Sequence, residues 1–427
     1  MIPTASAAPT TSPRVVLPFY GYGAGCFLLA ALVLLLHSGN LLGHYFQPPL
    51  LAVTHLLALG WGTMMTFGAS YQLMPVLTGK LLWSDRLATV SFWLGGSGIP
   101  LLVWGFYSFQ LDGPALIGGV LTFLGISCWL FNMSGSVGGD WRKQVHAVFL
   151  FAAGIWLWLT ALVGLALLFN FRYPLLPADS LHYLSVHAHL GIVGWFLLLI
   201  TGVGSRLIPM FLISKYENNR LLWAIFGTVN GGLLVYLAGF LAEIGETVWG
   251  AMGLIAAGIA LFILFCYRSY QKRLRRAVDV PVRLSLLSAG LMTLPLVLLC
   301  SHYFRKPQPA VAEARLFVTY GLLIFLGWIT AILFGMTFKT LPFIVWNKVY
   351  GKLAGKQQTP APNALFPENV LRWMTWGYGA GVVLLVAGLL TGMSPLLRIG
   401  SGLLFLSAIL YVYLVSRMLM HKPPAAS

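Results

Sequence analysis

The chain is a succession of apolar stretches with nearly all charge pushed into the gaps between them. A helix of about 20 mostly apolar residues crosses a bilayer, because it satisfies its own backbone hydrogen bonds where no water is available. Twelve such windows occur, at 18–37, 49–77, 87–108, 114–132, 145–169, 183–212, 221–242, 248–270, 282–302, 314–343, 371–392 and 397–418. No long polar domain separates them. The longest internal loop, 344–370, holds Lys348, Lys352 and Lys356 with the turn-forming Pro360, Pro362 and Pro367. Only 8% of residues are charged, against about a quarter in soluble domains. That excludes a soluble enzyme, a disordered chain and a nucleic-acid-binding domain. The expected class is an all-α integral membrane protein of twelve transmembrane helices, with the lipid bilayer as its main partner.

The cations set an orientation. The N-terminal tail, the loops after even-numbered spans, the C-terminal tail and the adjoining helix ends hold 21 of the 26 Lys and Arg; the opposite side holds Arg172, Arg305, Lys306, Arg315 and Arg398. The positive-inside rule then puts both termini in the cytoplasm of a multi-pass protein of the inner membrane. The run from Arg268 to Arg283 reads as a topology signal rather than a partner site. Residues 1–17, rich in Ala, Thr and Pro with the single charge Arg14, read as a disordered tail and not a signal peptide. Cys26, Cys128, Cys266 and Cys300 lie apart in apolar runs, as small buried hydrophobes do.

One pattern recurs three times. His55-LLALG-Trp61-GTMMTF-Gly68-ASYQLM-Pro75 falls in the second span, His189-LGIVG-Trp195-FLLLIT-Gly202-VGSRLI-Pro209 in the sixth, and Leu322-LIFLG-Trp328-ITAILF-Gly335-MTFKTL-Pro342 in the tenth. Trp61 to Trp195 is 134 positions and Trp195 to Trp328 is 133, four spans each. A fixed period marks an internal repeat. It predicts three four-helix units, 18–132, 145–270 and 282–418, around a pseudo-threefold axis, with a short tail at 419–427. Gly is expected to allow close helix approach; Pro is expected to loosen the inner helix end. Eleven residues after each Trp stand Gln72, Arg206 and Lys339, read as snorkelling or interfacial groups.

Seven of the nine histidines, His37, His44, His55, His182, His187, His189 and His302, fall on the outer side; His146 and His421 do not. His55 and His189 occupy the same rung of equivalent helices, and the third rung is Leu322. Two imidazoles at one depth on facing helices are axial haem ligands in the making, with Trp61 and Trp195 in the apolar surroundings. His187 is about 200° around the helix from His189, so the two rings serve opposite faces. His187 stays open between ligating a second haem or copper and hydrogen bonding at the surface. His182 reads as a loop or propionate contact, His302 as a weaker metal candidate, and His37 and His44 as solvated. Haem propionates need cations, for which Arg398 is the first choice, ahead of Arg172, Arg305 and Arg315.

His187-Ala-His189 followed by LGIVGW resembles the H-x-H helix of haem–copper oxidase catalytic subunits, especially the cbb-type branch and the nitric oxide reductases. Twelve spans in a threefold arrangement resemble that superfamily over nearly the whole chain, and the NnrS-like haem- and copper-containing membrane proteins are similar in size. The resemblance implies a low-spin haem b on His55 and His189, with His187 facing the position of a high-spin haem where gas chemistry occurs. The departures are specific. The H-x-H pair lies on the sixth helix rather than the tenth, no His-His pair exists for copper, and all ten acids lie in loops or helix ends. Proton pumping and a complete binuclear centre are therefore disfavoured.

The leading expectation is a haem-b membrane protein, an oxidoreductase in class, that transfers electrons or handles nitric oxide or dioxygen near His187. A separate cytochrome or quinol would be its donor, since no C-x-x-C-H site is present. The alternative is non-enzymatic copper or haem handling, or a nitric oxide stress role, in which outer His and Met64 and Met65 form a soft-metal path. A secondary transporter is a third option, weakened by the lack of a charged midplane site.

Overall fold

The computed structural model describes residues 11–137, 144–304 and 309–423. Twelve helices in it are long and apolar enough to span a membrane: α1 (Pro13–Leu36), α2 (Pro48–Thr78), α3 (Asp85–Tyr107), α4 (Pro114–Ser136), α5 (Val145–Asn170), α6 (Leu184–Leu212), α7 (Asn219–Leu241), α8 (Thr247–Gln271), α9 (Val280–Phe304), α10 (Ala310–Tyr350), α11 (Glu368–Thr391) and α12 (Ser394–Leu419). The chain is an all-helical, multi-pass membrane protein. Its local signals are conventional. Proline occupies the first turn of α1, α2 and α4, where its missing N–H costs nothing. Ser84, Asn218 and Asp279 cap α3, α7 and α9 by accepting from the amides of Leu87, Leu221 and Val282.

Two boundaries differ from the sequence expectation. The tail proposed for 1–17 is already helical from Pro13, with Val15, Val16 and Leu17 buried. Thr11 Oγ1 donates to the Tyr71 carbonyl, which ties the segment down. At the other boundary, α10 runs on to Tyr350, seven residues into the expected loop, because Ile344, Val345 and Tyr350 are buried against the bundle. Residues 1–10 and 424–427 of the expected tails, and Arg305 and Lys306, lie outside the described residues.

The bundle is organised around α2, α6 and α10. Their most apolar windows are 67, 61 and 72% buried, while no other span exceeds 50%. Each breaks from α to π geometry at the same point of the recurring pattern: Leu56–Thr63 directly after His55, Leu190–Leu197 directly after His189, and Leu323–Ile329 directly after Leu322. A π segment adds residues to the turn and re-aims the side chains around it, and such segments cluster at functional sites. Thr63 and Thr330 reach back to the carbonyls five residues earlier, Ala58 and Phe325, at 2.9 and 2.7 Å. These bonds occupy oxygens that the widened turn leaves under-satisfied.

The recurring Trp and Gly have defined contacts. The indoles of Trp61, Trp195 and Trp328 are at most 3% exposed. Trp61 Nε1 donates to Thr330 Oγ1 and Trp195 Nε1 to Thr63 Oγ1, both at 3.1 Å. Both acceptors stand two residues after the Trp of their own helix. The residue in that place on α6 is Leu197, and Trp328 Nε1 has no acceptor among the described residues. Gly68, Gly202 and Gly335 meet α1, α5 and α9 so closely that a Cβ would overlap Phe19, Phe149 and the Pro281–Ser285 segment. Close approach at these glycines was expected.

A histidine compartment between the second and sixth helices

The H-x-H helix delivers its two imidazoles to different neighbours. Ring centres of His55 and His187 are 6.4 Å apart and their planes are 21° from parallel. His189 instead lies against Tyr236 of α7, at 5.1 Å, and Tyr320 of α10, at 6.2 Å. The ring that stands beside His55 is thus that of His187 and not that of His189, its expected partner. The physical reason is the helix rotation of about 200° between positions two apart. Packing of α5 against α6 turns the His187 face toward α2, and the His189 face then meets α7 and α10.

Each imidazole is oriented by a backbone carbonyl. Nδ1 of His55 bonds the Leu51 carbonyl at 2.8 Å, Nδ1 of His187 the Thr160 carbonyl of α5 at 3.0 Å, and Nδ1 of His189 the Ser185 carbonyl at 2.7 Å. A carbonyl only accepts, so in the neutral rings Nδ1 carries the proton and Nε2 keeps the lone pair. That is the tautomer of a metal-ligating histidine, with its other nitrogen fixed by an outer partner. The lone pair of His189 accepts from the Tyr320 hydroxyl at 3.3 Å. No hydrogen bond joins His55 to His187 in the described structure, and both rings are half-buried inside the bundle.

The surroundings of His55 are apolar. Phe106 of α3 stacks obliquely on His55 at 4.4 Å. Leu51, Leu102, Phe106, Ala115 and Leu168 form a separate buried cluster there, fed by α2 to α5. Gly164 of α5 makes room for His187: a Cβ at that position would stand 2.8 Å from His187 Cε1. Toward the helix ends, Arg172 pairs with Asp112 in a recess that also includes Leu168, Phe109 and Phe171. Arg172 is therefore the cation at this mouth. Arg398, the expected first choice, is exposed on α12 and contacts neither histidine, because α12 packs on α1 and α11. Arg315 leans over Gly392, and its buried Nε has no hydrogen-bond partner among the described residues. Trp61 and Trp195 are fully buried in the contacts between central helices, supporting the compartment rather than lining it.

The remaining candidates have other partners. His37 Nε2 meets the Tyr107 hydroxyl at 3.0 Å, so it is held by α3 rather than free in solvent. His44 stacks on Tyr45. His182 packs on Phe240. His302 lies 3.6 Å from Glu313. Among the described residues there is no group of three or more His, Cys, Asp or Glu placed to hold a metal ion. Of the three residues expected to snorkel, Arg206 is exposed, Gln72 buries an Oε1 with no partner among the described residues, and Lys339 is ion-paired with Asp279. Sequence reasoning missed Thr63, Thr330, Tyr236 and Tyr320. The two threonines were visible as Trp-x-Thr in two of three repeats; the tyrosines carry no local signal.

The chain is 28% identical over 292 residues to a protein of Aquifex aeolicus (strain VF5) described only as uncharacterized, covering 68% of this chain and 71% of that one. No protein-family model matches.

Proposed function

We propose that the chain is a haem-b-binding membrane protein of the haem–copper oxidase type, with its haem iron between His55 and His187. The observation that carries this is the ring separation. Two imidazoles that shared one metal at roughly 2 Å each would have ring centres about 6 Å apart, close to the 6.4 Å between these rings. Fixed Nδ1 protons, unshared Nε2 lone pairs, the space left by Gly164 and the apolar walls support the same reading. In this role the Leu51 and Thr160 carbonyls hold the rings in place and raise their basicity. Leu51, Phe106 and Leu168 exclude water, and Arg172 offers its guanidinium to the propionates. A haem held by both imidazoles would supply one-electron exchange rather than ligand binding.

Around that centre the reading is a pseudo-threefold assembly of four-helix units. The equivalent π segments and the Trp-to-Thr bonds between central helices support it. The excess of cations at one end supports cytoplasmic termini, and a separate cytochrome or quinol would deliver the electrons. Small-gas chemistry belongs on the His189 side, where Tyr236 and Tyr320 gather.

A reduced-minus-oxidised spectrum of the purified protein, with pyridine extraction of haem, tests the proposal. His55→Ala and His187→Ala each abolish the bis-histidine signal, and His189→Ala retains it. Loss in His189→Ala with retention in His187→Ala restores the other pairing. A flat wild-type spectrum removes haem altogether, and copper without haem turns the reading to metal handling.

A further inference from the structure

The three π segments are not held alike. In α2 the Thr63 hydroxyl donates back to the Ala58 carbonyl, and Thr66 donates to that of Gly62. In α10 Thr330 donates to the Phe325 carbonyl, Tyr378 of α11 to those of Leu326 and Gly327, and Ser288 of α9 to that of Trp328. In α6, among the described residues, no side chain donates to any carbonyl from Leu190 to Phe196. The difference traces to one residue. Leu197 stands where Thr63 and Thr330 stand, two places after the Trp. A leucine offers the Ile192 carbonyl, five residues earlier, no donor. It also offers no acceptor to a neighbouring indole, and the Trp-to-Thr bond that would join α10 to α6 is missing among the described residues. One end of the segment is fixed, since Trp195 Nε1 donates to Thr63 of α2. His187 and His189 stand just beyond its other end. Between them the backbone meets α5 at two glycines: a Cβ at Gly191 would stand 3.3 Å from Thr160 Cγ2, and one at Gly194 2.6 Å from Trp156 Cβ. No side chain of α6 interlocks with α5 at those two positions.

We propose that the π segment of α6 is a conformational hinge, through which the histidine-bearing end of α6 turns and carries His187 away from His55. An α turn holds 3.6 residues, so each residue drawn out of the widened turn rotates the helix beyond it by about 100°. A widened turn leaves backbone carbonyls short of donors. Side chains make good that shortage in α2 and α10 and do not in α6. Two bonds to other helices hold the present orientation, from His187 Nδ1 to the Thr160 carbonyl and from the Tyr320 hydroxyl to His189 Nε2. The bonds of His189 to Ser185 and of His187 to Tyr183 lie within the turning end and move with it. The hinge stands on the backbone and its side-chain donors alone. Its consequence, a metal centre that loses one imidazole when the helix turns, rests on the haem reading above.

Two measurements on the full-length protein test it. Amide hydrogen exchange reads the local opening of each segment. Most residues of all three segments are buried, so burial alone gives equal protection. The expected result is faster exchange in 190–197 than in 56–63 and 323–329, by roughly two- to tenfold for each absent hydrogen bond of ordinary net strength. Leu197→Thr, which supplies the hydroxyl, slows exchange in 190–197. Leu197→Val, of the same shape without the hydroxyl, does not. Relaxation dispersion of the imidazole ¹⁵N signals reads the turn itself: it detects a second His187 environment in the wild type and none in Leu197→Thr, the signals being assigned by their loss in His187→Gln. Equal protection of the three segments, equal slowing by threonine and valine, or a single His187 environment in the wild type overturns the proposal. If the Leu197 variants do not fold, Thr63→Val carries the test in reverse, and unchanged exchange in 56–63 overturns it too. Neither readout needs haem. A haem-free protein with the hinge removes the haem reading alone, and a haem-loaded protein with uniform protection removes the hinge alone.

Discussion

His187 reaches the compartment of His55 only because residue 164, on the neighbouring helix, has no side chain: a Cβ there would stand 2.8 Å from the imidazole Cε1. The ring cannot retreat easily, since its Nδ1 is held by the Thr160 carbonyl one turn earlier on the same helix α5. Gly164 is thus a positioning residue for the sixth-helix imidazole. Gly164→Ala is expected to lower haem content several-fold while leaving helicity and monodispersity unchanged. Gly164→Leu is expected to abolish haem content. Haem-to-protein ratios by pyridine extraction, beside circular dichroism, decide it. A Gly164→Leu protein with full haem content excludes His187 as the ligand.

The bonds between central helices are separable from the histidine pair. Thr63→Val leaves the Trp195 N–H buried with no acceptor and releases the Ala58 carbonyl in the π segment. The expected loss is about 1–2 kcal/mol, near the upper end for such bonds in membrane proteins. Trp195→Phe removes the donor, so the double variant recovers part of the loss. A thermal-unfolding cycle in detergent, with Thr330→Val and Trp61→Phe as the matching pair, measures the coupling. Strictly additive losses in both cycles mean the hydrogen bonds contribute nothing to stability.

These threonines mark where sequence reading stops. The twelve spans were legible because a bilayer demands apolar length, and length is a local property. The 134- and 133-residue spacings picked out α2, α6 and α10, the three spans that carry the π segments. The opposite facing of His187 and His189 was also legible, since two helix positions fix an angle. Which of them turns toward His55 was not. That depends on how α6 is rotated against α5, set by Gly164, Thr160 and other residues far away in sequence. The π segments were equally hidden. Leu-Leu-Ala-Leu-Gly has the composition of an ordinary apolar α-helix, and only cross-helix packing and the back-bonding threonine show the widened turn. Pro13, by contrast, announced the start of α1, and the apolar Val15–Leu17 was misassigned to a tail.

Helix crossings should be sensitive at particular glycines and indifferent at others. A Cβ at Gly118 of α4 would overlap the backbone of α3 at Leu101 and Leu102, whereas Gly25 of α1 has open space around its Cβ direction. Gly118→Ala is expected to cost roughly 1–3 kcal/mol, as overpacked cores do, because backbone cannot rotate away as a side chain can. Gly25→Ala is expected to be neutral, or stabilising by up to about 1 kcal/mol through helix propensity. Melting temperatures of the two variants check this. Equal melting temperatures contradict the close α3–α4 crossing.

Two of the ion pairs near helix ends should differ by burial. Asp279 caps α9 through the Val282 amide and pairs with Lys339, whose side chain is 14% exposed, and with Arg275 at 3.4 Å. Asp112 and Arg172 are both more than half exposed. Exposed pairs contribute between nothing and about 1 kcal/mol, whereas removing one partner of a mostly buried pair strands a charge. Asp279→Asn keeps an oxygen for the cap but leaves Lys339 uncompensated, with an expected cost of about 1–3 kcal/mol. Asp112→Asn should stay within about 0.5 kcal/mol. Raising the salt should shrink the small Asp112 effect and leave most of the Asp279 effect, since screening acts mainly on exposed charge. Thermal unfolding of both variants at low and high salt measures the ranking. Equal losses that salt erases alike would mean that the Lys339 ammonium reaches solvent freely.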